Sequence, residues 1–266
     1  MIILGYIAAV LMGMVLGVIG GGGSILTVPI LVYLMGVTPD IATGYSLLIV
    51  GATAAYGAVR YFKEGLIDIK ASVVFAIPSI IAVYLTRAYL MPAIPESITV
   101  QSVEINKNLA IMVLFASLML VSAAMMLKKA YSKTTQIAVS TESGSAHIGL
   151  VVFEGIFVGI ITGILGAGGG FLIIPALVLF LGMPMKNAVG ASLFIIALKS
   201  LLGFLGDLQS GIQLEMPLLP LMLVATFIGM ALSTKVTGKL DGASLQKFFA
   251  FFTLVIAIFI MSKELL

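Results

Sequence analysis

One glycine-rich stretch occurs twice in this chain, and its repetition constrains the fold more than any other feature. The first copy runs from Gly13 to Pro29 and holds Gly13, Gly17 and the run Gly20-Gly21-Gly22-Gly23-Ser24. The second runs from Gly159 to Pro175 and holds Gly159, Gly163 and the run Gly166-Ala167-Gly168-Gly169-Gly170-Phe171. The two are offset by 146 positions, and the match continues without a gap. Leu31-Val32 recurs as Leu177-Val178, Gly36 as Gly182, and Ala42-x-Gly44-x-Ser46-Leu47 as Ala188-x-Gly190-x-Ser192-Leu193. Seven glycines keep register over 35 positions, which marks the chain as an internal duplication.

The surroundings of the glycines are apolar. Of 266 residues, 61% are hydrophobic and 9% charged, with a mean hydropathy of +1.24. A soluble domain is roughly 25% charged. Several charge-free runs are long enough to cross a bilayer as helices, about 20 residues each. The expected class is therefore all-α, a polytopic helical membrane protein. With basic residues confined between apolar runs, the net charge of +3 is a topology signal and not a nucleic-acid signal. Cysteine is absent, which excludes disulfides and thiolate-bound metals. The first segment lacks a basic leader and belongs to the repeat, so it is not read as a cleaved signal peptide.

Five apolar segments fall in each half, about ten in all: near 3–19, 24–36, 41–59, 71–91 and 109–127, then 148–165, 171–183, 188–206, 216–234 and 245–262. Residues 1–130 form the first repeat, 131–147 a polar linker and 148–266 the second repeat. The second segment of each half is short. Thirteen residues cover about 20 Å, less than the ~30 Å hydrocarbon core. It either re-enters, forming a hairpin with its tip inside the membrane, or crosses with tilt and thinning. In both cases the chain returns to the side it left. Residues 93–108, a polar connection, are expected to be a short surface helix or a loop.

Lysine and arginine set the orientation. With five segments per half, one face collects Arg60, Lys63, Lys70, Lys128, Lys129, Lys133, Lys186, Lys235, Lys239 and Lys247. The other collects Arg87, Lys107 and Lys263. This bias predicts a cytoplasmic first face and extracytoplasmic termini. An odd number of segments per half makes the two repeats inverted, an architecture of secondary transporters that bind substrate near the midplane.

Candidate binding residues follow from depth. The turns at Gly20, Gly21, Gly22, Gly23 and Ser24, and at Gly168, Gly169, Gly170 and Phe171, put polar backbone inside the membrane, where only protein or a water-lined cavity tolerates it. Each is expected to start a helix whose free N–H groups favour an anion. The alternative is that the glycines only let helices approach closely. Thr43 and Ser46, with Asn187 and Ser192, lie in the first turns of the next segments and offer further donors, or else cap those turns. Lys199, the mate of Thr53, is the one charge deep in an apolar run and is a functional candidate by that fact. Arg87, Asp207 and Glu215 lie at segment ends and are expected to be solvated or snorkelling.

Enzyme signatures are missing. There is no His-Glu-x-x-His, and His147 is the single histidine. Gly203-Phe204-Leu205-Gly206-Asp207 has no second membrane aspartate to make a protease pair. No cofactor or metal is expected, and the partners are a small anion and the lipid bilayer, not nucleic acid.

The doubled Gly-x-x-Gly-Gly-Gly-Gly-Ser…Pro element, with its Ala-x-Gly-x-Ser-Leu, resembles the TauE/SafE family of membrane permeases. The resemblance covers the whole chain. It implies transport of small sulfur-containing anions (sulfite, sulfoacetate and other organosulfonates, or thiosulfate) across the cytoplasmic membrane. The second copy departs from the pattern at Ala167 and at Gly170-Phe171, so its half-site is not equivalent to the first. The expected function is a secondary transporter for such an anion, coupled to protons or sodium on general grounds. A permease for a carboxylate or another solute is the runner-up, and an intramembrane enzyme or assembly factor is the reading of a different class.

Overall fold

A computed structural model describes residues 2–100, 103–131, 144–166, 168–237 and 242–265. Ala167 and most of the polar linker lie outside the described residues, as do Lys133 and Lys239. The fold is a helical membrane bundle. Six helical stretches are long and apolar enough to cross a bilayer: Ile2–Leu34, Pro39–Lys63, Ile69–Ala93, Lys107–Lys128, Met185–Gln209 and Ala243–Leu265. Three shorter apolar helices, Val151–Leu165, Gly170–Leu179 and Leu218–Ser233, complete the set among the described residues.

The first stretch is not a straight rod. Helix α1 (Ile2–Ile19) ends where Gly20 takes a φ of +71°, and a tight 3-10 turn spans Gly20–Leu26 before α2 (Thr27–Pro29). A straight helix from residue 2 to 34 would be about 50 Å long. Here a methyl group added at Gly5 would lie 2.6 Å from the Cε of Met35, and one at Gly23 would overlap Leu16. The chain has folded back along itself at the glycine run.

The return arm ends in the same way in both halves. After Pro29 and Pro175 the helix widens over Ile30–Leu34 and Ala176–Phe180, with Met35 and Leu181 donating to the carbonyls of Ile30 and Ala176. Gly36 (φ +75°) and Gly182 (φ +64°) then stop it in the left-handed conformation, which a side chain would strain. Val37 and Met183 donate back to Leu31 and Leu177 across the cap. The repeated glycine at this position is thus a helix stop.

Helices α3 (Pro39–Lys63), α4 (Ile69–Leu85) and α5 (Met91–Ala93) follow, with a wide turn at Thr86–Leu90 between the last two. A correction applies to the next connection. It is neither helix nor irregular loop but an antiparallel hairpin, β1 (Ser97–Val100) with β2 (Val103–Asn106), pairing Ile98 with Ile105 and Val100 with Val103. The alternation Ile98-Thr99-Val100 and Val103-Glu104-Ile105 is a strand period, and β-branched residues fill it. Then come α6 (Lys107–Tyr131), α7 (Gly144–Leu165), α8 (Gly170–Pro175), α9 (Met185–Gln209), α10 (Leu218–Thr237) and α11 (Gly242–Leu265).

The two halves pack reciprocally. In α3 and α9, which are repeat mates, Gly44 faces Asp207, Gly51 faces Leu201, Gly57 faces Leu193 and Gly190 faces Tyr61. The register runs in opposite directions, so the pair is antiparallel, and it centres on Thr53 and Lys199. Helix α1 lies parallel to α10, with Gly13 on Thr226 and Gly17 on Ser233. Its mate α7 lies parallel to α4, with Gly159 on Ser79 and Gly163 on Thr86. These glycines serve close helix contact, as the small-residue alternative holds.

Candidate functional site

The glycine turns meet at the centre of the molecule. A methyl at Gly21 would overlap the Cα of Gly170, and a methyl at Gly170 would overlap Gly21. Gly20 sits on Val189 and on the Ser192 hydroxyl, while its mate Gly166 sits on the backbone of Thr43. Each turn therefore rests on the second turn of the other half's central helix, α9 or α3.

This corrects part of the expected site. No glycine of the two runs that the structure describes borders open space. Gly22 faces Ile19 and Phe249, each at 3.0 Å from an added methyl, and Gly23 faces Leu16. Gly168 faces Val50, Ile196 and Ser24. The helix expected to start at Ser24 starts at Thr27, because the glycine run is itself a 3-10 turn. The Ser24 hydroxyl donates to the Gly21 carbonyl at 2.6 Å, inside its own turn.

Most of the flanking donors are also locally engaged. Thr43 Oγ1 donates to the Asp40 carbonyl at 2.6 Å, and Ser192 Oγ to the Val189 carbonyl at 2.8 Å. Both bond the preceding turn, the usual habit of a helical hydroxyl. Asn187 is half-buried, and its side chain makes no hydrogen bond among the described residues. Phe171 turns its ring edge-on to Phe115, 5.5 Å between centroids, and its carbonyl accepts from Ser122 Oγ. Ser46 differs: its hydroxyl is fully buried and has no partner among the described residues.

Lys199 is where the candidates converge. Its side chain is fully buried and does not snorkel. It stands at mid-height of the antiparallel α3–α9 pair, with Nζ against the second glycine turn, 2.6 Å from where a methyl at Gly169 would lie. Nζ donates to Thr162 Oγ1 at 2.9 Å, and no carboxylate pairs with it among the described residues. Gly166, Gly168 and Gly169 all have φ between +64° and +67°, where the first turn has one such glycine, Gly20.

The duplication explains Thr162. In each half the glycine turn folds back on the residue seven positions earlier: Gly23 on Leu16, and Gly169 on Thr162. The second half thus carries Thr162 and Lys199 where the first carries Leu16 and Thr53. Thr53 Oγ1 donates to the Ile49 carbonyl and lies 2.7 Å from Thr226 Oγ1. The polar centre is one-sided, and Thr162 was missed in the sequence because a single threonine in a helix is unremarkable until its partner is known. Thr162→Val is expected to lower stability by about 1–3 kcal/mol, since it leaves a buried donor unpaired. Thermal unfolding of the purified protein in detergent checks this; an unchanged midpoint would show that Lys199 has another way to satisfy its donors.

The structure also moves two residues out of the role expected for segment ends. Arg87 and Asp207 are buried, 2% and 5% exposed, and Arg87 Nη1 approaches Asp207 Oδ1 at 3.4 Å. The signal was present in the sequence: Arg87 lies within a continuous 25-residue apolar helical stretch.

No group of three or more metal-ligating side chains exists among the described residues. What the fold assembles is a buried lysine at mid-height of the contact between two mutually packed halves. The six helical stretches of membrane length make this a multi-pass membrane protein. The chain belongs to the Sulfite exporter TauE/SafE family, which it matches over residues 5–260. It is 31% identical over 193 residues to a probable membrane transporter protein of Xylella fastidiosa (strain Temecula1 / ATCC 700964), covering 70% of this chain and 66% of that one. It is 30% identical over 227 residues to the probable membrane transporter protein YunE of Bacillus subtilis (strain 168), covering 77% and 79%. A probable membrane transporter protein of Haemophilus influenzae is 25% identical over 275 residues, 97% of each chain. No solved structure matches.

Proposed function

We propose that the protein is a secondary transporter that carries a small sulfur-containing oxyanion, such as sulfite, sulfoacetate or thiosulfate, across the inner membrane. The observation that carries this reading is Lys199: a buried lysine at mid-height of the α3–α9 pair, beside a glycine turn, with a hydroxyl and no carboxylate as partner among the described residues. A buried unpaired charge costs several kcal/mol. An anion arriving there supplies the missing partner, and the family to which the chain belongs supports a sulfur oxyanion as that partner. The backbone N–H groups around Gly169 complete the shell, with the unpartnered Ser46 hydroxyl as a further donor. Thr162 orients Lys199 and gives its own proton to the Val158 carbonyl. Access alternates when the halves part at the Gly21–Gly170 contact, first towards one face and then the other. Uptake of the anion would run against an inside-negative membrane potential and call for a coupling cation, a proton or sodium, whereas export would run with it. Uptake of sulfoacetate into proteoliposomes, with acetate as the competing carboxylate, tests the substrate class. Equal inhibition by acetate and by unlabelled sulfoacetate would point to a carboxylate permease instead.

The orientation belongs to the same reading. Antiparallel α3 and α9 put the end of one and the start of the other on one face, with Arg60, Lys63 and Lys186, and the helix starts and ends bearing Lys70, Lys128 and Lys247 follow. We assign that face to the cytoplasm and both termini to the outside, with the halves inverted. Lys263→Cys is expected to react with an impermeant maleimide in intact cells and Lys63→Cys only after lysis. The reverse pattern would overturn the assignment.

A further inference from the structure

We infer that the mouth on which α3 begins holds a second anion site, built on one edge of the Arg87 guanidinium. A cavity of about 250 Å³ opens there, lined among others by Asp40, Arg87, Lys107, Asp207, Ser210 and Ile212. Arg87 comes to it from the wide turn after α4, and its Cβ packs close on Gly206, 2.9 Å from an added methyl. The side chain is therefore held in place as well as buried.

The bonding of this arginine is incomplete in a particular way. Among the described residues its one ion-pair contact is the long Nη1 approach to Asp207. Nε and Nη2 have no hydrogen-bond partner among the described residues and lie covered in the cavity wall, so an anion reaches them only when the lining side chains part. These two atoms share one edge of the planar guanidinium, and their N–H bonds run parallel. That edge is the fork that takes two oxygens of one oxyanion. A pair made only for stability would engage the same edge with the carboxylate. Instead Asp207 Oδ2 is also without a partner and rests beside Gly44. Leaving buried donors and an acceptor unsatisfied is unfavourable unless something else fills them.

Charge around the cavity fits a weakly held visitor. Lys107 adds a second cation, its Nζ donating to the Met91 carbonyl at 3.1 Å. Asp40 and Asp207 oppose it, so an oxyanion on the Arg87 fork is attracted but not trapped. Favourable entry with ready release is what a passage site requires. Arg87 and Asp207 have no repeat counterpart of like charge on the other mouth. The repeat mates of Asp207 and Asp40 are Tyr61 and Lys186, and the α1 and α7 contacts pair Thr86 with Ser233, which makes Thr234 the mate of Arg87. Tyr61 Oη donates to the Gly17 carbonyl, so the position equivalent to Asp207 carries a packing bond and no carboxylate. The duplication has thus been broken on one face to give it an oxyanion fork. Its role as an entry or exit station rests on the transporter reading above; the binding does not.

The absence of cysteine makes the test direct. Ser210 is an exposed lining residue, so Ser210→Cys places a single thiol at the rim. The rate of its modification by a maleimide is measured on purified protein with rising sulfate, against chloride at equal ionic strength. Sulfate is expected to slow labelling saturably and chloride not. Arg87→Lys in the same background keeps the charge and loses the fork, and is expected to weaken the protection at least about tenfold. Lys199→Met is expected to leave it unchanged, which separates this site from the central one. Asp207→Asn removes the competing carboxylate and is expected to strengthen it. Should Arg87→Lys not fold, Asp207→Asn decides alone. The inference is overturned by absent protection, by equal protection from chloride, by undiminished protection in Arg87→Lys, by unchanged or weaker protection in Asp207→Asn, or by its loss in Lys199→Met.

Discussion

Lys199→Met is expected to abolish anion transport while leaving a folded protein that is at least as stable as the wild type. The two effects have one cause. Lys199 is fully buried with a single hydrogen bond to Thr162 and no carboxylate among the described residues. Replacing a buried charge by an apolar side chain of similar volume is often neutral or stabilising. Losing a desolvated charge from a binding site costs on the order of 2–5 kcal/mol, a factor of roughly 30 to several thousand in affinity. Lys199→Arg keeps the charge, but its guanidinium must fit against Gly169 and Thr162, so partial activity is expected. The measurements are thermal unfolding and sulfoacetate uptake on the same preparations. A Met variant that transports at the wild-type rate would remove Lys199 from the site. A variant that unfolds would make Lys199 a structural residue.

The second large effect is expected at the contact between the glycine turns. Gly21→Ala and Gly170→Ala each drive a methyl into the partner's backbone, which cannot rotate away. Overpacking of this kind costs about 1–3 kcal/mol and more where only backbone can yield. Gly22→Ala is expected to be far milder, because its methyl meets side-chain atoms of Ile19 and Phe249 at 3.0 Å. The double variant Gly21→Ala/Gly170→Ala is expected to be less damaging than the sum of the singles. Once the turns have been forced apart by the first methyl, the second enters space already opened. Yield of monodisperse protein and unfolding temperature across the four variants test the ordering. Equal losses at Gly21 and Gly22 would show that the turns do not touch.

Several features were legible in the sequence because the bilayer imposes them locally. Apolar length decides what crosses, so the segments at 3–19 and 41–59 fall within α1 and α3. The short second segment of each half predicted a chain that returns to the side it left, by re-entry or by a tilted crossing, and the caps at Gly36 and Gly182 fold alike. A charge amid an apolar run marked Lys199 without any knowledge of its neighbours. The strand period at Ile98 to Ile105 was equally local, and could have been read from alternation alone.

The rest depended on contacts between residues far apart in the chain. Spacing could place Gly20–Gly23 at membrane depth, but not decide what they approach; the approach is to Gly170, Val189, Phe249 and Leu16, not to open space. Hydroxyls at Thr43 and Ser192 were free in the sequence and are engaged in the fold, because a carbonyl three residues back is always within reach in a helix. Arg87 and Asp207 resembled solvated ends until α4 and α9 were brought side by side. Hydrophobicity and period are properties of a segment and survive in any arrangement of the helices. Which polar groups meet, and which are left without partners, is fixed only when the two repeats close on each other.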